Sequence, residues 1–183
     1  MDAFHVALTD AEKSSLKDLV RLVIAAKLAG KAPDVPTPDS ENLGRKLGAF
    51  VTLTIDGNLR GCIGHIVGDQ PLFATIAAMA EAAAFGDPRF PPLTRREFDR
   101  VAIEISILGP LEPCPDPARV VVGRHGLLAR RGGRSGLLLP QVPVEWGWDR
   151  ETFLDQTCRK AGLEPGCWRD PATTLFWFEA EVF

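Results

Sequence analysis

The sequence lacks the features that mark membrane, secreted and nucleic-acid-binding proteins. No run approaches the ~20 consecutive apolar residues of a membrane span. Residues 1–5 have neither the basic start nor the apolar region of a signal peptide. The formal net charge of −3 gives no overall attraction to nucleic acid or to an anionic membrane surface. We therefore expect a cytoplasmic protein that binds neither a membrane nor nucleic acid.

Cysteine is scarce, and no two cysteines have the Cys-x-x-Cys spacing. The four are Cys62, Cys114, Cys158 and Cys167. In the reducing cytoplasm we expect free thiols rather than a disulfide framework.

What the sequence contains fits one globular domain. Its 183 residues are 45% hydrophobic, which is enough for a sizeable core, and 17 glycines with 15 prolines predict many turns. Periodicity predicts the order α, ββ, α, β, a loop-rich β section, α, β. Because strands do not alternate strictly with helices, we predict an α+β fold, with a mixed β-sheet packed with helices. We expect a single domain with a smaller β-rich subdomain.

Local signals mark the individual elements. A capping box at Thr9 and Glu12 begins an amphipathic helix over about residues 9–29. Asp69 is expected to cap a helix that has Pro71 in its first position and stops at Gly86. The remaining predicted elements are strands over 47–55, 101–108, 120–122 and 174–183, a hairpin over 126–139, an edge or loop from Pro140 to Pro143, and a helix over 150–161.

The predicted strand over 47–55 begins a first hairpin, and reactive side chains lie close together in the second strand of that hairpin. Asp56-Gly57-Asn58 predicts the hairpin turn, and on a regular strand Arg60 and Cys62 would share a face. Gly61 and Gly64 leave the backbone open to close approach by a ligand or another segment. Because an arginine can lower the pKa of a nearby thiol, Cys62 is a candidate nucleophile or redox thiol.

Two charged residues elsewhere in the chain could contribute to this site. Glu104 lies among isoleucines in a predicted strand, and a buried carboxylate there would need a partner such as Arg60 or Arg89. It would serve either as an acid/base group of raised pKa or as one half of an ion pair. Arg89, in a proline-stiffened loop, would either bind an anionic substrate or brace the hairpin.

A histidine follows the same strand. Cys62 and His65 have a plausible spacing for metal ligands, but two ligands are too few. His125 or Glu104 would complete a metal site only if the fold brings them close to Cys62 and His65. We therefore predict no metal site and no cofactor, and a solvent-facing or hydrogen-bonded role is the simpler expectation for His65.

Basic residues gather around the second hairpin. They are Arg124, His125, Arg130, Arg131 and Arg134. There is little aromatic interleaving, so we interpret them as solubilising loop charges rather than an RNA-binding patch.

Five sequence blocks together resemble one known family. They are Leu59-Arg60-Gly61-Cys62-Ile63-Gly64, 87–93, Ile103-Glu104-Ile105-Ser106 with Leu108, 136–142 and 160–163, in that order. From about Leu47 to Phe183 the chain is similar to the AMMECR-one-like domain family, named for the AMME chromosomal region candidate gene. The resemblance implies a compact α+β domain with a larger and a smaller subdomain. Residues 1–183 are accordingly predicted to be one such domain, with the core from about 47 to 183.

The resemblance also implies partners. Bacterial and archaeal members look like protein A of the AmmeMemoRadiSam system, whose other components are a Memo-like protein and a radical S-adenosylmethionine protein. The hexapeptide is a suspected active site of the family, which points to Arg60 and Cys62 here. Neither a reaction nor a cofactor comes with the resemblance.

Two functional hypotheses follow. The first is an enzyme, or a substrate-presenting subunit, of a modification pathway with an unknown small-molecule or protein substrate, and with a cleft around the motif. Its expected catalytic residues are Cys62, Arg60 and Glu104, and its expected substrate-binding residues are Arg89, His65, Gly61 and Gly64. The second is a non-enzymatic protein-interaction module in which the motif is structural and Cys62 is buried filler.

Overall fold

The chain folds into helices and two antiparallel sheets, in a computed structural model that describes residue 6 and residues 8–183. The predicted α+β class is confirmed. Residues 1–5, on which the signal-peptide expectation rests, lie outside the described residues. The described part contains no helix long and apolar enough to cross a membrane.

The described chain divides into two compact units. The first holds the described residues up to Leu108 together with Glu181–Phe183, and the second holds Gly109–Ala180. The assignment of residues 1–183 to one domain of the resembled family stays a prediction.

The first unit is a four-stranded sheet covered by two long helices. Its strand order is β2-β1-β3-β8. Its elements are α1 (Asp10–Leu28), α2 (Glu41–Gly44), β1 (Gly48–Ile55), β2 (Asn58–His65), α3 (Leu72–Phe85), α4 (Arg95–Phe98), β3 (Val101–Leu108) and β8 (Ala180–Val182).

Helix α1 forms where the sequence predicts it. The capping box at Thr9 and Glu12 is present, and the apolar stripe is buried. Helix α3 begins differently from the expectation. Its N-cap is Pro71 and has no side-chain cap, while the carboxylate of Asp69 contacts His65 instead. The helix nevertheless stops at Gly86, as predicted.

The buried face of the first sheet packs against α1 and α3. Alternate residues of β1, Ala49, Val51 and Leu53, are fully buried, and Ile105 and Ile107 of β3 lie beside them. The turn of the β1–β2 hairpin has positive φ at Asp56 and Gly57, which matches the backbone that such a two-residue turn requires.

The second unit is a four-stranded sheet in the order β4-β7-β5-β6. One face packs against α6, which buries Phe153, Leu154, Thr157 and Cys158. Its elements are β4 (Glu112–Pro113), β5 (Gly126–Arg131), β6 (Arg134–Leu138), α5 (Gln141–Glu145), α6 (Arg150–Lys160) and β7 (Thr174–Phe178), with 3-10 turns at Pro117–Arg119 and Cys167–Arg169.

Three sequence predictions in this unit are wrong. Residues 120–122 form no strand, since Val120 and Val121 are irregular and Val122 begins a turn. Residues 141–145 form the short helix α5, because Pro143 lies near its start, where the missing N–H costs little. The predicted strand over 174–183 is two strands, β7 and β8, which pair in different sheets.

The cysteine prediction is also wrong in part. Cys158 and Cys167 form a disulfide, because the turn after α6 brings two residues nine positions apart to a Cα–Cα distance of 5.9 Å. Cys62 and Cys114 are free thiols, as predicted, and both are half-buried.

Most basic residues of the second hairpin are used internally. Arg131 forms ion pairs with Glu164 and Asp170, and Arg124 pairs with Glu179. Arg134 donates to the carbonyl of Gly162. These contacts engage three of the five basic residues within the chain, and their interpretation as solubilising loop charges stays a prediction.

Candidate functional site

The thiol of Cys62 lies in a row of polar side chains that crosses three strands. Thr52 of β1 is the cross-strand partner both of Cys62 in β2 and of Glu104 in β3. Directly opposed residues point to the same face of an antiparallel sheet. The Thr52 hydroxyl donates to the Cys62 sulfur at 3.3 Å. Thr52 and Cys62 are half-buried, whereas Glu104 is exposed.

Asp87 holds the motif strand to the loop that follows α3. Its carboxylate is only 4% exposed. It accepts the backbone N–H of Cys62 at 2.9 Å, the backbone N–H of Arg89 at 3.1 Å, and two guanidinium N–H groups of Arg89 at 2.9 and 2.7 Å. Chiefly because of Arg89, the pKa of the Asp87 carboxyl is held well below its usual range. Asp87 is therefore an ionised anchor rather than a proton donor.

Arg89 braces the hairpin. Besides its contacts to Asp87, it donates to the carbonyl of Cys62 at 3.2 Å and lies 5.5 Å from the ring centre of Phe90. The side chain remains half-exposed. Asp87 is the main reason that the pKa of Arg89 is raised, and Cys62 contributes to the rise. Of the two roles expected for Arg89, bracing is the one that these contacts support.

Arg60 occupies a β-bulge, and this changes its expected role. The register between β1 and β2 shifts there, so that Leu53 opposes Gly61 while Thr54 opposes Leu59. The bulge interrupts the alternation on which a shared face with Cys62 was expected. That expectation therefore does not follow from the strand geometry.

The guanidinium of Arg60 is bound by partners other than Cys62. It donates to both carboxylate oxygens of Glu97, at 2.9 and 3.2 Å, and to the carbonyl of Pro91 at 2.9 Å. Arg60, followed by Thr94, lowers the pKa of Glu97 to about 2. At 8% exposure, Arg60 is a structural cation that fixes the start of α4 and the proline-rich loop against β2.

The motif glycines are required by packing within the chain. A Cβ on Gly61 would lie 2.1 Å from the backbone oxygen of Ala83 in α3, and one on Gly64 would lie 2.2 Å from the ring of Phe50. The close approach that these glycines permit is thus made by Ala83 and Phe50. Of the two neighbours expected at these glycines, a ligand or another segment, the structure contains the second, and substrate binding at Gly61 and Gly64 stays a prediction.

Glu104 and His65 stand apart from the arginines. Glu104 is exposed, and in the described part of the chain it has no ion pair. The expectation of a Glu104 pair with Arg60 or Arg89 is wrong, because those arginines bind Glu97 and Asp87. His65 is exposed and lies 3.3 Å from Asp69. The residues with described positions include no group of three or more metal-ligating side chains.

Sequence reasoning missed the residues that organise this site, Asp87, Glu97 and Thr52. Their local sequence explains only part of what they do: Asp87 directly follows the end of α3 at Gly86, and Glu97 forms a capping box with Thr94. The capping box is present, and the same carboxylate also binds Arg60. No sequence signal joins Glu97 to Arg60, which lies 37 positions away.

Comparisons with known proteins agree with this architecture. The AMMECR1 family model matches residues 17–183. Protein NEQ441 of Nanoarchaeum equitans is 42% identical over 176 residues, which cover 92% of this chain and 98% of that protein. A protein of Methanothermobacter thermautotrophicus is 42% identical over 187 residues, covering 98% of this chain and 97% of the other.

A solved structure has the same fold. The crystal structure of the uncharacterized protein PH0010 from Pyrococcus horikoshii superposes with a TM-score of 0.87 at 43% identity, covering 92% of this chain and 88% of that one. Since the family match extends over nearly the whole chain and these relatives cover it almost end to end, the protein belongs to the AMMECR1 family.

Proposed function

We propose that this chain is a substrate-presenting subunit of a modification pathway, acting with a Memo-like protein and a radical S-adenosylmethionine protein. The proposed contact surface is the polar row formed by Cys62, Thr52 and Glu104. The observation that carries the proposal is that the side chains in and around the motif have two different roles. The buried charged groups serve the fold, while this row lies on a single face and ends in an exposed carboxylate.

The distances weigh against a self-sufficient catalyst. Cys62 and Glu104 are separated by two strand spacings, about 10 Å. A general base must lie within hydrogen-bond reach of the group that it deprotonates, about 3 Å between heavy atoms or the span of one bridging water. Arg89, which donates to the carbonyl of Cys62, is already bound to Asp87. These constraints favour presentation of a substrate over acid/base or thiol chemistry by this chain alone.

The same contacts would suit a presenting surface. Asp87 fixes the backbone of Cys62, and the β1–β3 pairing fixes Glu104. A rigid surface loses little conformational entropy when a partner binds. The exposed Glu104 offers a negative charge at one end, and the thiol offers a soft, weakly polar contact at the other.

Alkylation footprinting tests the proposal. The purified chain is treated with iodoacetamide, alone and with the Memo-like and radical S-adenosylmethionine proteins of the same organism, and modification of each cysteine is followed by mass spectrometry. We expect the partners to slow the alkylation of Cys62 several-fold and to leave that of Cys114 unchanged. Unchanged alkylation of Cys62 under conditions where the three proteins co-elute would contradict the proposed surface.

Two charge-reversal variants test whether Glu104 contributes to the protection of Cys62. Glu104→Lys should reduce the protection of Cys62, whereas Glu145→Lys, at an exposed position in the second unit, should not. If both variants behave like the wild type, Glu104 is not part of the surface.

A catalytic thiol would give a different result. It would react with iodoacetamide faster than a small free thiol, and Cys62→Ser would abolish pathway function. Cys114 is unsuitable as the reference rate, because burial raises the pKa of its thiol. A presenting role predicts an ordinary rate for Cys62 and retained function in the Cys62→Ser protein.

A further inference from the structure

A cavity lies within the second unit, among residues outside the motif. Its volume is about 640 Å³. Much of its wall is apolar, formed by three prolines, Val121 and the rings of Trp177 and Phe178. A concave, largely apolar site with a few polar groups is the usual form of a small-molecule site. The proline-rich connection that begins at Pro110 forms one side, so the cavity exists only because that connection runs beside β7.

One cation in the cavity wall, Arg119, has no carboxylate partner among the residues that the structure describes. Among the four charged residues that line it, Arg124 and Glu179 form an ion pair at 2.6 Å and neutralise each other. Arg119 is exposed, lies 5.7 Å from the ring centre of Trp177, and is paired with no carboxylate in the described part of the chain. Its planar guanidinium can therefore bind a ligand carboxylate through two parallel hydrogen bonds.

His125 supplies a neighbouring donor with a defined orientation. Its Nδ1 accepts the backbone N–H of Val121 at 3.1 Å. A nitrogen that accepts a hydrogen bond carries no proton, so the neutral ring carries its proton on Nε2. The ring is held 4.6 Å from that of Trp177. Burial, followed by the charge of Arg124, lowers the pKa of His125 and favours this neutral form.

The carboxylate of Glu112 limits the negative charge that a ligand of the cavity can carry. Glu112 also lines the cavity and has no ion pair among the residues whose positions are described. With one unpaired cation and one unpaired carboxylate in the wall, a ligand with two negative charges would be repelled by Glu112. A single negative charge is the better match for Arg119.

We propose that this cavity binds a small monocarboxylate with a planar apolar body. The guanidinium of Arg119 and the Nε2–H of His125 hold the carboxylate. The body of the ligand lies against Phe178, Val121 and the prolines. This site shares no residue with the Cys62 row and does not depend on the function proposed for that row.

Fluorine NMR with three matched probes tests the site. The probes are 4-fluorobenzoate, the neutral 4-fluorobenzamide and the dianionic 4-fluorophenyl phosphate. We expect saturable broadening or shift of the 4-fluorobenzoate resonance, with a dissociation constant of about 1 mM or lower. The amide and the phosphate should bind at least several-fold more weakly.

Two arginine variants provide the matched comparison. Arg119→Gln should weaken 4-fluorobenzoate binding at least about tenfold, the loss expected for a charge-assisted hydrogen-bonded contact. Arg130 contacts the ring of Phe176 at 5.5 Å in the same unit but does not line the cavity. Arg130→Gln should therefore bind the probe like the wild type.

Three results would overturn the proposal. They are an absence of saturable binding in the wild-type protein, equal binding of the benzoate and the benzamide, and unchanged benzoate binding in Arg119→Gln. Circular dichroism melting of both variants checks the fold. Both arginines are exposed, so we expect wild-type melting temperatures.

Discussion

At the scale of single residues, Asp87 anchors the backbone of the motif although it lies outside the motif. A buried carboxylate is costly unless its lone pairs are filled, and here four N–H groups fill them. Two of those donors are backbone groups of Cys62 and Arg89. Asp87 thus fixes the backbone of the motif and the loop beyond α3 at the same time.

Replacing Asp87 should destabilise the protein. Asp87→Ala leaves the buried N–H of Cys62 without an acceptor and releases Arg89, so we expect a loss of about 2–3 kcal/mol in the free energy of unfolding. Urea denaturation measures the change. Asp99→Asn, at an exposed carboxylate after α4, should change stability by less than about 0.5 kcal/mol. A similarly small change in Asp87→Ala would show that the contacts of Asp87 contribute little.

At the scale of elements, close packing of β2 on α3 depends on a glycine facing a backbone carbonyl. The alanine-rich sequence of α3 keeps the helix surface flat, with Ala80, Ala83 and Ala84 buried. Because Gly61 has no side chain, β2 can approach α3 until its backbone meets the carbonyl of Ala83. This explains the glycine after Arg60 without a ligand.

Adding one methyl group at Gly61 should separate the two elements. Its Cβ would lie 2.1 Å from the backbone oxygen of Ala83, and no side-chain movement can relieve a clash with backbone. We expect Gly61→Ala to cost at least about 1–3 kcal/mol in urea denaturation, as overpacked cores do. Gly44→Ala is the matched control, because a Cβ there meets nothing within 4 Å. Equal stability of the two variants would argue against tight packing of β2 on α3.

The disulfide joins the end of α6 to the turn that follows it. Cys158 and Cys167 are nine positions apart, and closing a loop of that size in the unfolded chain stabilises the native state by about 2–3 kcal/mol. The pairing also places both sulfurs within the core of the second unit.

Thiol counting tests this pairing directly. In denaturant without reductant, iodoacetamide should modify Cys62 and Cys114 only, and all four cysteines should react after reduction. A Cys158→Ala/Cys167→Ala protein should unfold at a lower urea concentration than the wild type. Modification of all four cysteines before reduction would show that the pair is not oxidised in the purified protein.

At the scale of the whole molecule, acid should unfold the protein through its paired carboxylates. Arg60 lowers the pKa of Glu97 from its ordinary 4.5 to about 2, and Arg89 lowers that of Asp87. A carboxyl whose pKa is lower in the folded state binds protons more readily when unfolded. Its stabilising contribution is therefore complete above the unfolded pKa and is lost as pH falls through the folded pKa.

The pH dependence of stability provides the measurement. Between pH 5 and 2 the urea midpoint of the wild type should fall more steeply than that of Glu97→Gln, which lacks one of these carboxylates. Glu145→Gln, at an exposed position, should retain the wild-type slope. Parallel curves for wild type and Glu97→Gln would show that the Arg60–Glu97 pair does not contribute to acid sensitivity.

The sequence by itself determined the features that depend on neighbouring residues. The capping box of α1, the turn at Asp56-Gly57 and the end of α3 at Gly86 follow from spacings of a few residues, and the structure contains all three. Local hydrogen bonds and side-chain periodicity supply enough information for such elements.

Only the tertiary structure decided how the motif is used. The pairing of Arg60 with Glu97, the contact of Asp87 with Cys62, and the division of the last strand between two sheets involve residues tens of positions apart. The sequence around Glu104 does not determine whether its side chain is buried or exposed, because burial depends on which segments pack over the strand. The cavity beside Arg119 likewise exists only where distant segments meet.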